Sequence, residues 1–380
     1  MIENREQIFL SLGAGENQTP LIISAKKAGY LVIGVDQNIE AIGFQHCDYI
    51  IQESITNYEN IILKLKTELF IDRLAGAYSA SFGNALITLG AIVDTYSLRG
   101  LKKYQYINLI DKDYVRSVIK QSNHSNIVFQ QPVFYAFENI ITKNKLSAMK
   151  YPVILKTRRG HGKINIFEIS SFTDLQKAIN RSTLEKGNLK RKELIVEEKI
   201  KGDEITVTGF VQNNQFHLVV ITDKITTENA PFIELEHRYP SNYEKFTEQI
   251  IQAHNDLITI LQINNTPLVS EWKIHNNELY LIEISPQLPG EYLATILIPE
   301  VTGYDLFKNT VSLATGLPLE SITNKKNHKK GFVQFFTAPV KEYEWSQYKK
   351  KAIFSKILRT DAPKVLRSNH DRHAVIVIVD

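Results

Sequence analysis

The sequence predicts two fold classes in one chain: an α/β domain with a parallel sheet, followed by α+β units with antiparallel hairpins. Residues 8–36 contain an apolar strand, a glycine turn, a helix and a second apolar strand. This βαβ order is typical of parallel sheets. Residues 151–169 and 269–285 each contain two strand-like runs separated by a short turn rich in Gly or Asn, which predicts hairpins.

The length and composition are those of an ordinary globular protein with two or three domains. Of the 380 residues 43% are hydrophobic and 23% are charged, and the net charge of +4 is small. We therefore expect neither nucleic acid nor a membrane as a partner. Apolar runs are too short to span a bilayer and the first residues lack the apolar core of a signal peptide, so we expect a cytoplasmic protein. The single cysteine, Cys47, cannot form an internal disulfide.

The glycine turn of the first domain leaves two interpretations open. Gly13 and Gly15, with Asp36 at the end of the second strand, begin a dinucleotide-binding pattern. Gln18 stands where the third glycine of that pattern belongs, and many α/β domains have a tight turn here without a cofactor. Further strands and helices continue this domain to residue 101.

A glycine-rich hairpin with many cationic residues is predicted over residues 151–169. Its first strand ends at Lys156, and the second begins at Ile164. The loop between them includes Gly160, His161, Gly162 and Lys163. Backbone amides at glycines can approach phosphate oxygens closely, and Lys156 can neutralise them, so the loop is a candidate anion site. The alternative is a basic surface loop.

Two glutamates on the hairpin of residues 269–290 form a candidate metal site. If the loop is residues 276–278, Glu271 lies opposite Glu283 at about 5 Å, and a cation such as Mg²⁺ would relieve their repulsion. The other face then carries the side chains of Trp272, Ile274, Tyr280 and Ile282. A two-residue turn would instead place the glutamates on opposite faces, where both would be solvated.

Five further stretches complete the organisation. Asp111 is placed to cap a helix that begins with Lys112, and a strand, a charged turn and a second strand follow at residues 193–212. Residues 243–262 form one long amphipathic helix. The polar, basic stretch 321–331 is a linker, and the residues after it predict a strand, a helix and further strands.

This order of features resembles the ATP-grasp superfamily from the N-terminal domain through the segment near Gly316. The stretch LGAGENQTPLIISAKKAGYLVIGVDQN is similar to the large-subunit modules of carbamoyl phosphate synthetase and to stand-alone relatives such as biotin carboxylase. The resemblance implies a Rossmann-like domain over residues 1–101 and an ATP-grasp fold over 102–320, with a small β-rich lid at about 130–200. Residues 321–380 would be a small C-terminal α+β extension.

Carried over by motif, the resemblance implies a site for ATP and Mg²⁺, with Mn²⁺ as a substitute. The phosphates would meet Lys112, Lys156, Gly160, His161, Gly162 and Lys163. The adenine and ribose would meet Glu197, Glu198, Lys199, Ile200 and Glu204. The metal would be held by Glu271, Glu283 and Ser285.

The chain departs from the family pattern after the second metal glutamate. The family commonly has Glu-x-Asn-x-Arg, whereas this chain has Glu283, Ser285 and Gln287. Ser285 keeps an oxygen ligand, but Gln287 removes a cation that often orients the substrate. Arg238 is our candidate for supplying that cation from elsewhere, and the alternative is that Arg238 is a surface residue.

The resemblance implies an ATP-dependent, ADP-forming ligase that joins a small carboxylate, such as an amino acid, to an amine through an acyl phosphate. A carboxyphosphate or phosphoryl-transfer enzyme is the alternative within the fold. A nucleotide-binding module without catalysis is the alternative of another class, and a Rossmann oxidoreductase would explain only residues 8–36. A homodimer is the assembly usually expected of such an enzyme.

Overall fold

A computed structural model shows three β-sheets with helices packed around them. It describes residues 7–67, 73–122, 127–137, 146, 149–160, 162–185, 193–322, 329–361, 363 and 365–380. Among the helices of these residues, none combines the length and the apolar character needed to cross a bilayer.

The first domain contains the predicted parallel sheet, with strand order β3-β2-β1-β4. Its strands are β1 Ile8–Leu12, β2 Leu31–Asp36, β3 Tyr49–Gln52 and β4 Leu74–Tyr78. Its helices are α1 Thr19–Lys27, α2 Tyr58–Thr67 and α3 Asn84–Tyr96. All five residues of β1 are buried, as expected for a central strand covered on both faces.

Two short helices lead out of this domain: α4, Lys103–Leu109, which the sequence analysis missed, and α5, Lys112–Gln121. The predicted cap of α5 is confirmed, because the Asp111 carboxylate accepts a hydrogen bond from the Asp113 backbone N–H at 3.1 Å. This cap fixes Lys112 in the first turn of the helix.

The second sheet is a small antiparallel one with order β5-β8-β6-β7. Its elements are β5 Phe134–Ala136, β6 Val153–Thr157, β7 Phe167–Ile169, α6 Phe172–Glu185 and β8 Leu194–Glu198. The second strand of the glycine hairpin therefore starts three residues later than Ile164, where we predicted it. This unit, the lid, packs around its own apolar cluster, which includes Val153, Leu155 and Val196.

The third sheet has eight strands in the order β13-β12-β9-β10-β11-β14-β16-β15. Its strands are β9 Asp203–Gln212, β10 Gln215–Thr226, β11 Glu234–Tyr239, β12 Thr266–His275, β13 Glu278–Ser285, β14 Gly331–Phe336, β15 Phe354–Ile357 and β16 Ala374–Val379. The remaining helices are α7 Thr247–Leu261, α8 Ile298–Thr302, α9 Leu306–Thr315 and α10 Glu342–Lys351. Strand β14 pairs directly with β11, so the C-terminal residues extend this sheet.

One apolar cluster joins the first domain to the large sheet. It runs from Ile8 and Phe9 through Leu257 of α7 to Trp272 of β12, all of which are fully buried. The lid cluster is separate from it. The first domain and the large sheet therefore share a core, and the lid is a distinct packing unit above them.

The hairpin of β12 and β13 pairs Glu271 with Glu283, as predicted, but by a different route. The predicted three-residue loop was wrong: His275 pairs with Glu278, and Asn276 and Asn277 form a two-residue turn with φ of 51° and 63°. A β-bulge between Glu271 and Trp272 then shifts the register by one residue, which brings the two glutamates opposite each other.

The two-residue turn also overturns the prediction for the apolar face of the hairpin, because it pairs Trp272 with Leu281 and Ile274 with Leu279. Leu279 and Leu281 of β13 are fully buried, as is Trp272 of β12, whereas Tyr280 and Ile282 are only partly buried. A shift of one residue exchanges the two faces of a strand. Ile282 therefore lies on the side of the site cavity, with Glu283.

Candidate active site

A cavity of about 590 Å³ lies between the lid and the large sheet, and residues of the first domain and of the C-terminal segment also line it. Its size suits a nucleotide-sized ligand. The predicted site residues that line it are Lys112, Lys156, Gly160, Gly162, Lys163, Glu197, Glu198, Lys199, Ile200, Glu204, Glu271, Glu283, Ser285 and Gln287. His161 lies outside the described residues.

Lys156 is fixed by a buried ion triad. Its Nζ lies 2.6 Å from Oε2 of Glu197, and Nε of Arg116 donates to Oε1 of Glu197 at 3.0 Å. Burial by itself would raise the pKa of Glu197, but the charges of Arg116 and Lys156 outweigh it and lower the pKa to about 2. The Glu197 carboxylate, predicted to contact adenine, is therefore engaged in holding Lys156.

Arg116 also ties the triad to the metal hairpin. Its Nη1 and Nη2 donate to the backbone oxygens of Leu281 and Ile282 at 2.7 and 2.8 Å. The guanidinium donates to Glu197 of β8 and to two residues of β13, so α5, the lid and the hairpin meet at this one group. The fork geometry of arginine suits such a junction.

Lys112 connects the glycine loop to the glutamate pair. Its Nζ donates to the backbone oxygen of Gly160 at 3.2 Å and lies 3.3 Å from Oε1 of Glu283. Gly162 and Lys163 have φ of 67° and 62°, so the loop turns through the left-handed region at these two residues. The turn directs Lys163 towards Glu271, with Nζ 3.5 Å from Oε2.

A buried lysine that the sequence analysis did not identify lies among three glutamates. Nζ of Lys224 lies 2.5 Å from Glu271, 2.9 Å from Glu234 and 3.2 Å from Glu204. Burial opposes the charged form of Lys224, but the three carboxylates raise its pKa well above the usual value. Glu204, the predicted ribose ligand, is thereby fixed at the edge of the cavity.

The glutamate pair fits a hard divalent cation that shares its coordination with phosphate. Oε2 of Glu271 is buried and accepts no hydrogen bond, although Nζ of Lys163 lies 3.5 Å from it. Ser285 lines the same cavity. Among the described residues, no group of three or more His, Cys, Asp or Glu is arranged to hold a metal by itself. Mg²⁺ is usually held by one or two carboxylates together with phosphate and water oxygens, which matches this donor set.

The far end of the cavity is apolar and lies where the chain crosses from the lid to the large sheet. Residues 199–202 connect β8 to β9. The apolar side chains that line the cavity include Ile154, Ile166, Ile200 and Phe232. An aromatic base would be enclosed by these side chains, with backbone polar groups of the crossing segment beside it.

Comparison with known proteins agrees with this architecture. The family described as ATP-grasp domain matches residues 149–295. Residues 149–295 are an ATP-grasp domain. A segment of 175 residues is 28% identical to the pyruvate carboxylase of Bacillus subtilis (strain 168), and it covers 45% of this chain but only 15% of that protein.

Solved structures extend the fold similarity beyond the ATP-grasp domain. The L-amino acid ligase from Bacillus licheniformis superposes with a TM-score of 0.78 at 16% identity, over 99% of this chain and 93% of that one. The N5-carboxyaminoimidazole synthetase from Staphylococcus aureus complexed with ADP gives a TM-score of 0.75 at 16% identity, over 99% and 93%. The fold is therefore shared with these structures over nearly the whole chain.

Arg238 does not line the cavity. Its side chain is 50% exposed, and Nη2 lies 2.6 Å from Oε1 of Glu236. On β11 side chains alternate between faces, so His237 lines the cavity and Arg238 points away from it. Arg238 is therefore a surface residue. It does not supply the cation that is missing because position 287 is a glutamine.

The glycine turn of the first domain is filled by its own side chains. Oδ2 of Asp36 accepts a hydrogen bond from the Ala14 backbone N–H at 3.0 Å. Gln18, in the place of the third glycine, donates to Ala80 O at 3.0 Å and to Ser81 Oγ at 3.1 Å. Asp36 thus stabilises the turn itself, which favours the interpretation without a dinucleotide.

Several residues of the site were missed because no local pattern marks them. The missed residues are Arg116, Lys224, Glu234, His237, Glu291, Asn369 and Arg372. In the sequence, Arg116 is one of several polar residues of an amphipathic helix. Lys224 is one polar residue within a strand. A charged residue whose strand is otherwise buried is the signal that could have found Lys224.

Proposed function

We propose that this protein is an ATP-dependent, ADP-forming ligase that activates a small carboxylate and joins it to an amine. One observation carries the proposal: three lysines and a facing glutamate pair converge on one cavity that has an apolar end. The lysines are Lys112, Lys156 and Lys163, and the pair is Glu271 and Glu283. This set of groups fits both a nucleoside triphosphate and its metal ion.

In the proposed complex, the apolar end and the backbone of residues 198–200 hold the adenine, and Glu204 holds the ribose hydroxyls. Lys112, Lys156 and the glycine loop hold the phosphates. Glu271 and Glu283, with Ser285, would hold Mg²⁺. The metal would supply charge neutralisation at the phosphates. The buried Arg116–Glu197 pair keeps Lys156 in place, so its charge is preorganised before ATP binds.

The reaction proposed has two steps. A carboxylate oxygen attacks the γ-phosphorus, the bond to the β-γ bridging oxygen breaks, and ADP leaves, which forms an acyl phosphate. The amine nitrogen then attacks the acyl carbon, the carbon–oxygen bond to phosphate breaks, and the amine loses a proton. The lid excludes water, which would otherwise hydrolyse the acyl phosphate.

A screen of ADP release tests the proposed function. Purified protein with Mg²⁺ and ATP is supplied with carboxylates and amines, singly and in pairs, and ADP is measured by a coupled assay. We expect ADP to appear in quantity only when a particular pair is present. ADP released with bicarbonate alone would favour a carboxyphosphate enzyme. Failure of the protein to bind ATP would overturn the proposal.

A further inference from the structure

The C-terminal segment contributes a polar corner to the active-site cavity through Asn369. Its backbone N–H donates to Gly162 O of the glycine loop at 3.1 Å, and its side-chain oxygen accepts from the Glu234 backbone N–H at 3.1 Å. Its Nδ2 donates to Oε1 of Glu291 at 3.4 Å. The segment thus contacts the loop, β11 and the stretch after β13, although more than a hundred residues separate it from two of them.

Arg372 places a guanidinium in this corner. Its side chain is only 8% exposed, its Nη2 lies 2.5 Å from Oε2 of Glu291, and its Nε donates to Asn369 O at 2.7 Å. The guanidinium lies over the ring of Phe335, with 3.7 Å from its carbon to the ring centroid. Nη1 is buried without a hydrogen-bond partner. Arginine carries five N–H donors, and leaving buried ones unpaired is costly, so Arg372 has donor capacity to spare.

Glu291 is held in the corner by an unusual backbone. Glu291 and Tyr292 are consecutive non-glycine residues in the left-handed region, with φ of 57° and 62°. A π-helical turn, Leu293–Leu297, follows at once. Such backbone conformations cost energy and are found mainly at functional sites. Burial, and secondly the charge of Glu234, raise the pKa of Glu291, so its carboxylate is incompletely compensated by Arg372.

The other cations of the cavity are already committed elsewhere. Lys112, Lys156 and Lys163 each lie within 3.5 Å of a glutamate. Lys199 lies 2.8 Å from Glu168, and Lys273 lies 3.6 Å from Glu204. Gln287, which also lines the cavity, is neutral. Arg372 is the one arginine among the described residues that line it. It is therefore the group best suited to a second, non-phosphate anion.

We propose that Arg372 binds the carboxylate that is to be activated and that Glu291 binds an ammonium group of the same substrate, which makes the substrate an α-amino acid. A bare carboxylate would compete with Glu291 for the guanidinium and leave Glu291 unpaired. A substrate with an ammonium group beside its carboxylate turns one ion pair into two. This inference rests on the proposed function.

Hydroxylamine provides a test that needs no knowledge of the natural amine. It attacks the acyl phosphate, releases phosphate and leaves a hydroxamate, which is measured as its coloured complex with ferric ion. The protein with Mg²⁺ and ATP is given each of the twenty protein amino acids and the matched acid that lacks the amino group, such as propionate for alanine. We expect hydroxamate from some of the amino acids. Their matched acids should react at least roughly tenfold more slowly, because a buried charge pair is lost.

Two variants then assign the residues. Arg372→Gln should raise KM for the amino acid roughly tenfold or more and leave the Kd of MgATP within about twofold, while Arg372→Lys should recover part of the loss. Glu291→Gln should reduce the preference for the amino acid over its matched acid. Arg367→Gln, an exposed arginine of the same segment, serves as the control. If Arg372→Gln does not fold, the Lys and Glu291 variants carry the test.

The outcomes separate the two proposals. Wild-type protein that does not bind MgATP would overturn the proposed function together with this inference. Protein that binds MgATP and forms no hydroxamate from any amino acid, or reacts equally with the matched acids, would overturn the inference alone. An unchanged KM in both Arg372 variants would also contradict it.

Discussion

The chain contains two glycine turns beside apolar strands, and they differ in what surrounds them. At residues 13–15 the turn is closed: Asp36 accepts from a turn amide and Gln18 bridges to Ala80 and Ser81. At Gly160 and Gly162 the loop lines the cavity, and Lys112 donates to the backbone oxygen of Gly160.

The comparison shows that glycine spacing alone does not mark a ligand site. Glycine permits a tight turn in both places. What differs is whether neighbouring side chains fill the turn from within or leave it open to a cavity that lysines line. The predictions below test the open turn first and the closed turn last.

The largest effect is expected at the glutamate pair that faces the open turn. Glu283→Gln should reduce ADP release roughly 100-fold or more, because the metal loses one of its two carboxylates. The measurement is the steady-state rate with an active carboxylate and amine pair. Glu278→Gln, an exposed glutamate on the same hairpin, should leave the rate nearly unchanged. Equal effects of the two substitutions would contradict the metal assignment.

A smaller effect is expected at the lysine that touches the open turn. Lys112→Met should weaken MgATP binding roughly tenfold, because a phosphate loses a charge-assisted hydrogen bond. Isothermal titration calorimetry measures the Kd. Lys120→Met, on the exposed side of the same helix, is the matched control and should change the Kd less than about twofold. A Lys112 variant that binds like wild type would show that the open turn is only a basic surface loop.

The smallest effect is expected at the closed turn. Asp36→Asn should lower the free energy of unfolding by about 1 kcal/mol, because the charged acceptor of the Ala14 and Asn38 backbone N–H groups is lost. Thermal or urea unfolding measures the stability. MgATP binding should not change, and NADP should not raise the melting temperature of the wild-type protein. A clear shift with NADP would reopen the dinucleotide interpretation.

The sequence was sufficient for the features that are local. The parallel sheet of the first domain follows from one βαβ pattern, and the cap at Asp111 from one residue before an amphipathic run. The pairing of Glu271 with Glu283 was also predicted, but the two-residue turn and the β-bulge that together produce it were not. A β-bulge has no strong sequence signal when neither residue is glycine, so its compensating shift was visible only in three dimensions.

The features that could not be predicted depend on contacts between distant residues. Glu197 seemed free to meet a ligand until Arg116, 81 positions away, was found to hold it. Arg372 meets Glu291 across a similar separation along the chain. The prediction that Arg238 supplies a cation to the site was wrong for a local reason. One position along a strand decides which face a side chain occupies, and the neighbouring His237 lines the cavity instead.

The fate of one carboxylate oxygen atom tests most directly whether the substrate is activated as an acyl phosphate. The carboxylate substrate is labelled with ¹⁸O in both oxygens, the reaction is run with unlabelled ATP and amine, and the released phosphate is analysed by mass spectrometry. Activation through an acyl phosphate predicts that each phosphate carries one ¹⁸O atom from the carboxylate. Phosphate without label, with both labelled oxygens retained outside it, would contradict the account.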